Sequence, residues 1–395
     1  MFYVWFDAPI GYISITASYT NQWEKWWKNP AEVEHYEFMA KDNVPFHSVV
    51  FPATLLGSES NDFNWTMVKH LMATEYLNYE DAKFSKSRGI GVFGNDVANT
   101  DIPSDIWRFY LIYTRPENAD SAFKWEDLML KNNSELLANL GNFVNRALKF
   151  CKESFGGVIA PIDMNDDDKK ILVEINSDLA SYKEAMEKCH MRESISEVLN
   201  ISRRGNQLMQ AEKPWVLVKS ANEDHKLRAK SVVSFCANMA ALIAVLIEPF
   251  MPNTCECILK QLNISLESVN VLRSECTFKC VLKPGHVIGT PAPLIREIKI
   301  DEIQELKKRF AGSQKEREKT PTKSKKDKAS PDVIHQLKEG ILAQQNVLKS
   351  NVVSASKEQT QIANDILSYL NQELEETTRK SQSLEPTKAK KGKKK

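Results

Sequence analysis

The chain has 395 residues, 42% of them hydrophobic, which is enough for two or three domains with proper cores. Its formal net charge of +1 hides an uneven spread, because six lysines crowd residues 388–395, so the remainder is mildly acidic and only local patches bear on nucleic acid. Seven cysteines without framework spacing argue against a disulfide scaffold, the apolar run at 240–251 is too short for a membrane span, and residues 2–6 lack the basic start and cleavage site of a signal peptide; a soluble cytoplasmic protein is predicted.

In chain order, Phe2, Tyr3, Val4, Trp5 and Phe6 predict a buried strand, and a strand so early suggests a chain that begins inside a domain. Asp7-Ala8-Pro9-Ile10-Gly11-Tyr12 predicts a strand end breaking into a turn, where an open parallel sheet would hold a small ligand. An amphipathic helix at 23–27 and a strand at 34–39 follow, then Lys41-Asp42-Asn43-Val44-Pro45-Phe46-His47. Residues 66–77 read as a helix or strand flank, and 78–81 as a turn. Lys83-Phe84-Ser85-Lys86-Ser87, followed by Arg88-Gly89-Ile90-Gly91, sets two ammonium groups, two hydroxyls and a guanidinium on a glycine-loosened loop. That donor set suits a triphosphate; taken alone it equally fits a solvated basic loop.

Further on, a helix starts at Ser104 with an apolar stripe at Ile106, Phe109 and Tyr110, and from 132 to about 252 the pattern is helical almost throughout. Helices at 167–188, 191–212 and 225–248, broken at Gly156-Gly157, Pro214 and Pro249, predict an up-and-down bundle. Asn142 and Arg146 lie four apart, hence on one helical face. Glu212-Lys213-Pro214-Trp215 leaves an indole where a helix stops, which by itself reads as a cap on the core. Residues 281–299 are expected to form an extended strap and 312–329 a solvated linker. Ser330-Pro331, the face Ile334, Leu337, Ile341 and Leu348, the capping box Ser356-Lys357-Glu358-Gln359 and the face Ile362, Ile366, Leu370 and Leu374 predict a helical hairpin, with a dimerising coiled coil as the alternative. Cys255-x-Cys257 and Cys276-x3-Cys280 lack the two-residue gap of a zinc knuckle, so no bound metal is expected.

Three of these motifs, residues 3–12, Lys41 to His47 and Lys83 to Ser87, stand in the order and spacing of methionyl-tRNA synthetase, which the chain resembles through about residue 300, in its eukaryotic cytoplasmic form. The last motif resembles the KMSKS loop of that family, with Phe84 where Met is commoner. The resemblance implies an α/β plus all-α chain: the second half of a Rossmann-type class I synthetase catalytic domain (1–95), a stem-contact segment (96–130), a helical-bundle anticodon-binding domain (131–300), a linker (301–330), a WHEP helical hairpin (331–376) and a basic tail (377–395). It implies Lys86 as the chief catalytic charge with Lys83 assisting, Lys83, Ser85, Lys86 and Ser87 on ATP, and Trp5, Ala8, Pro9, Tyr12, Asn43, His47 and Phe51 around methionine. Asn43 and Phe51 depart from the Ile and Trp of bacterial members. Asn142, Arg146, Pro214 and Trp215 would read the anticodon, with Trp215 stacked under a cytosine. The implied activity is methionine–tRNA ligase, with ATP (as its Mg2+ complex), methionine and tRNA(Met) as substrates, other synthetases as partners through the WHEP hairpin, and no membrane. None of the seven histidines forms the His-x-x-His motif that the family places on phosphate, so the chain is expected to be a portion that is inactive alone. The alternatives are a related ligase for another apolar amino acid and a tRNA-binding scaffold without catalysis.

Overall fold

The computed structural model describes residues 4–58, 64–80, 82–269 and 277–312; the expected hairpin at 331–376 and the basic tail lie outside them. The chain enters in helix α1 (Val4–Tyr19), which replaces the strand expected at residues 4–6 and the turn expected at Pro9 and Gly11. A short apolar run fits a buried strand and a helix equally well. Ser14 and Thr16 spend their hydroxyls on the Ile10 and Tyr12 carbonyls four residues back, a local bond compatible with the helix.

A one-turn helix, α2 (Glu24–Trp27), leads to strand β1 (His35–Ala40). A short 3-10 turn (Lys41–Asn43), a π-helical turn (Phe46–Val50) and α3 (Phe51–Gly57) carry the chain over to β2 (Val68–Thr74). The pairing of β1 with β2 is parallel, as such a crossover permits, so the flank at 66–77 resolves as a strand. Trp27, Phe51 and Leu55 form a small core here, packed by Ile13, Trp23, Trp65, Met67 and Val68.

A second parallel pair joins β3 (Leu77–Tyr79) across α4 (Gly94–Val97) and α5 (Ser104–Tyr113) to β4 (Ser121–Phe123). From there α6 (Trp125–Lys131), a π-helical stretch (Asn132–Gly141) and α7 (Asn142–Phe155) run on as one rod, which Gly156 ends at φ 63°. The bundle continues with α8 (Asp166–Glu187), opened by an Asn165–Asp168 capping box, and then α9 (Met191–Glu212). The one-turn α10 (Pro214–Leu217), α11 (Glu223–Ile247) and α12 (Pro252–Leu262) complete it. Helix α11 extends well beyond the apolar run at 240–251 and is long and apolar enough to cross a membrane; 94% of that stretch is buried, so it serves as the core helix of the bundle. Asp105 on α5 caps the start of α12, accepting from the Thr254 amide at 2.6 Å, and Arg108 donates to the Phe250 carbonyl at 2.8 Å.

After the bundle the chain turns back as the expected strap. Asn133 clamps Ile298 in both directions (2.9 and 3.0 Å), and Asn132 donates to the Arg296 carbonyl at 3.0 Å. Helix α13 (Ile300–Arg309) then lies on α6, with Lys307 paired to Glu126 at 2.7 Å. A single large core runs from Tyr79 through the bundle to Phe310.

Candidate functional site

The first group of expected residues gathers on the small core. Tyr12 on α1 meets His47 on the π-helical turn, hydroxyl to Nε2, at 2.9 Å. His47 Nδ1 lies 2.9 Å from the Asn43 carbonyl, which can only accept, so Nδ1 carries the hydrogen. Phe51 is wholly buried, with its ring 6.1 Å from that of Tyr12 and 6.1 Å from Trp27. Pro9 is buried and Ala8 exposed on the first turns of α1, where Trp5 also sits. Tyr12, 43% exposed, forms the open edge of this aromatic wall, whose polar atoms are the Tyr12 hydroxyl and His47.

One residue of this group is not apparent from motif matching. Glu37 on β1 is 7% exposed, and neither carboxylate oxygen accepts a hydrogen bond. Burial pushes its carboxyl up, partly countered by His47. The Tyr12 hydroxyl is pushed up by burial and by the Glu37 charge, and His35, with Nε2 3.4 Å from Glu37, is pushed down by burial. Strand alternation, which puts His35 and Glu37 on one face, was the only available signal.

The second group is the basic turn. Ser85 and Ile90 exchange backbone hydrogen bonds at 2.8 and 3.0 Å around a 3-10 turn (Lys86–Arg88), and Arg88 Nε donates to Ser85 Oγ at 3.0 Å. Lys83 and Ser87 are exposed on it. Phe84 packs against Tyr79 and Phe93, ring centroids 5.3 and 5.9 Å apart. A Cβ on Gly91, at φ 118°, would lie 2.4 Å from the Phe84 ring, so this glycine provides close approach as well as freedom. The turn is anchored on the large core, whereas Phe51, which faces the Tyr12 ring, belongs to the small one. Its far side is held by the residues that follow α13, as Gly91 N donates to the Phe310 carbonyl at 3.1 Å and Ile90 bridges Ala311.

The third group lies at the seam of α7 and α9. Lys213, at φ 47°, stops α9, and the buried Pro214 opens α10, leaving Trp215 half-buried. The Arg146 guanidinium lies over the Trp215 ring, 5.2 Å from its centroid, and Asn142 is exposed one turn earlier on α7. Sequence reading missed what holds this seam. Arg203 pairs with Glu135 at 2.5 Å, Asn206 donates to the Asn139 carbonyl at 3.0 Å, and Arg228 binds both Asp168 and Glu212, the last residue of α9. Among the described residues no group of three or more His, Cys, Asp or Glu is placed to hold a metal, and Cys255 and Cys257 sit buried and exposed on different faces of α12.

Residues 1–148 match the family described as tRNA synthetases class I (M), and residues 159–315 the anticodon binding domain of methionyl tRNA ligase. Together with the fold they define a class I aminoacyl-tRNA synthetase, a catalytic fold followed by a helical anticodon-binding domain. The cytoplasmic methionine–tRNA ligase of Xenopus laevis is 54% identical over 80% of this chain and 34% of its own length; that of Bos taurus is 46% identical over 100% and 43%. The chain belongs to the methionyl-tRNA synthetase family. It spans about two fifths or less of the length of these curated relatives. Among solved structures, a Mycobacterium tuberculosis methionyl-tRNA synthetase in complex with methionyl-adenylate aligns with a TM-score of 0.64 at 22% identity, covering 74% of this chain and 55% of that one, a likeness of fold.

Proposed function

We propose that this chain forms part of a cytoplasmic methionine–tRNA ligase, which joins methionine to ATP as an adenylate and transfers it to tRNA(Met), releasing AMP and pyrophosphate. The observation that carries the reading is the Arg146 guanidinium over the Trp215 ring at a helix stop, with Asn142 exposed one turn before Arg146, an aromatic face and donors offered to an unstacked base. Pro214 fixes the angle at which the indole leaves α9. At the other end, Tyr12, Asn43, His47 and Phe51, with Trp5, Ala8 and Pro9 on α1, provide an aromatic wall suited to a thioether. Lys83, Ser85, Lys86 and Ser87 take the triphosphate, with Lys86 the principal charge on the departing pyrophosphate and Mg2+ arriving with ATP. Cytoplasmic location follows the names of the relatives; residues 331–376, if they form the hairpin that their sequence predicts, would dock other synthetases or hold tRNA loosely.

An RNA hairpin carrying the methionine anticodon tests this on the chain itself. Trp215→Ala should weaken binding by roughly 5- to 150-fold, the equivalent of about 1–3 kcal/mol of stacking, and replacing the first anticodon cytosine should produce a comparable loss. Binding within twofold of the parent for both changes would overturn the assignment.

A further inference from the structure

Three helices meet at one guanidinium. Arg228 of α11 donates Nε and Nη2 to the two oxygens of Glu212, at 3.0 and 2.7 Å, and Nη1 and Nη2 to those of Asp168. Asp168 is 2% exposed and is tied into the start of α8, where its carboxylate also accepts from the Asn165 amide at 3.1 Å. Glu212 is the last residue of α9. Two forks on one planar group fix angles as well as distances, which an ammonium could not do. What they anchor is a strained corner. Lys213, the next residue, sits at φ 47° and ψ 57°, a left-handed conformation that is costly for a residue with a side chain and persists only where its surroundings over-determine it. Beyond the corner its carbonyl accepts from the Val216 amide at 2.8 Å, which starts α10, the short helix that packs on α11 and carries Trp215.

We propose that Arg228 is a positioning residue for base selection: through Glu212 and the left-handed Lys213 it sets the angle at which the Trp215 ring meets the Arg146 guanidinium. The two halves of that platform come from different elements, Arg146 from α7 and Trp215 from α10, with 5.2 Å between guanidinium and ring centroid. Stacking on an indole accepts any base, so choice between bases depends on where the donors of Arg146 and Asn142 stand relative to the ring. A ring that swings keeps its stacking face and loses its register with those donors. Arg228 acts at one remove, because the groups it holds are carboxylates of α8 and α9 and the ring lies three residues beyond Glu212. The selection step rests on the anticodon reading above; the positioning of the ring does not.

The test uses Glu212→Ala in the whole chain, which cuts the link from Arg228 to α9 and leaves Asp168 with its guanidinium. Two RNA hairpins are compared, one with the methionine anticodon and one with uracil in place of its first cytosine, and the readout is the ratio of their dissociation constants. A merely structural role lowers the folded fraction, which weakens both hairpins alike and cancels in the ratio. Loss of aim lowers the ratio itself, by roughly 2- to 30-fold, the range for residues that act through a packed network. Nuclear magnetic resonance on the free protein follows the Trp215 indole N–H and the Arg146 Nε–H, which should move together in the variant. A ratio within twofold of the parent's would overturn the proposal. If the parent itself does not distinguish the two hairpins, the anticodon reading falls and the two resonances decide: displaced, the positioning role stands; unmoved, it is overturned. Should Glu212→Ala fold poorly, Glu212→Gln, which keeps the shape and loses the charge and one acceptor, is judged by the same measurements.

Discussion

Gly205 sits in the middle of α9 with no turn to make, and helix propensity alone says that Gly205→Ala should stabilise the chain by about 0.5–1 kcal/mol. Packing says the opposite. A Cβ there would lie 2.2 Å from Cε2, 2.3 Å from Cζ and 2.7 Å from Cδ2 of Phe143, where ordinary contact begins near 3.4 Å. The ring must therefore retreat by about 1.2 Å (3.4 minus 2.2), yet Phe143 is wholly buried in the large core. Overpacking of this kind costs about 1–3 kcal/mol, and three crowded ring atoms put it at the upper end, so Gly205→Ala should destabilise by about 2 kcal/mol net. Urea unfolding reads this as a lower midpoint at unchanged slope. Phe143→Leu in the same chain should make the Gly205→Ala change much less costly, a coupling of about 1–3 kcal/mol between touching residues. Because α7 carries Arg146 and α9 ends next to Trp215, spreading this seam should also weaken binding of the anticodon hairpin. A Gly205→Ala midpoint equal to or above that of the parent would refute the packing argument and leave propensity in charge.

Arg228→Met should cost about 3 kcal/mol in thermal or denaturant unfolding, since it strands Asp168, 2% exposed, without its guanidinium; it should also loosen the end of α9, where Glu212 loses its 2.7 Å partner. Gly312→Val should detach the segment after α13 from the basic turn, because φ is 74° and a Cβ would lie 2.5 Å from Ile90 and 2.9 Å from the Arg88 carbonyl. The Gly91 amide, which donates to Phe310, should then exchange with solvent at least tenfold faster while bundle amides are unaffected. In a Cys276→Ser background at pH 8, a thiol reagent should label Cys257 at once, with Cys151, Cys236 and Cys255 reacting only on unfolding. Burial pushes the Cys151 and Cys255 thiols up to about 11, which leaves about one molecule in a thousand as thiolate at that pH.

The strap shows how the parts are joined. Asn132 and Asn133 grip it at the π-helical stretch of the rod, Arg296 donates to the Asp101 carbonyl at 2.9 Å, and beyond α13 Ala311 bridges Ile90 of the basic turn. The strap and the residues after α13 thus tie the bundle, the loop before α5 and the turn together.

Much of this was legible in the residues. The 3.6-residue periodicity and the proline and glycine breaks placed α8, α9 and α11 to within a few residues, and four-residue spacing put Asn142 and Arg146 on one helix. Residues 4–12 were misread as strand and turn, because a short apolar run carries no period of its own and Pro9 is tolerated inside α1. Glu37 was invisible for a different reason: a single acid in a strand says nothing of burial until its neighbours across space are known.

Local chemistry, then, was settled by sequence: which segments wind into helices, where they stop, and which donors and rings the motifs carry, since all of these depend on residues a few positions apart. Tertiary structure alone decided that Arg146 lies over Trp215, that Phe143 leaves no room for a side chain at Gly205, that the residues after α13 hold the basic turn, and that Glu37 is buried with neither oxygen accepting a hydrogen bond. Each of those facts joins positions distant along the chain, and only close packing in three dimensions brings such atoms within reach of one another.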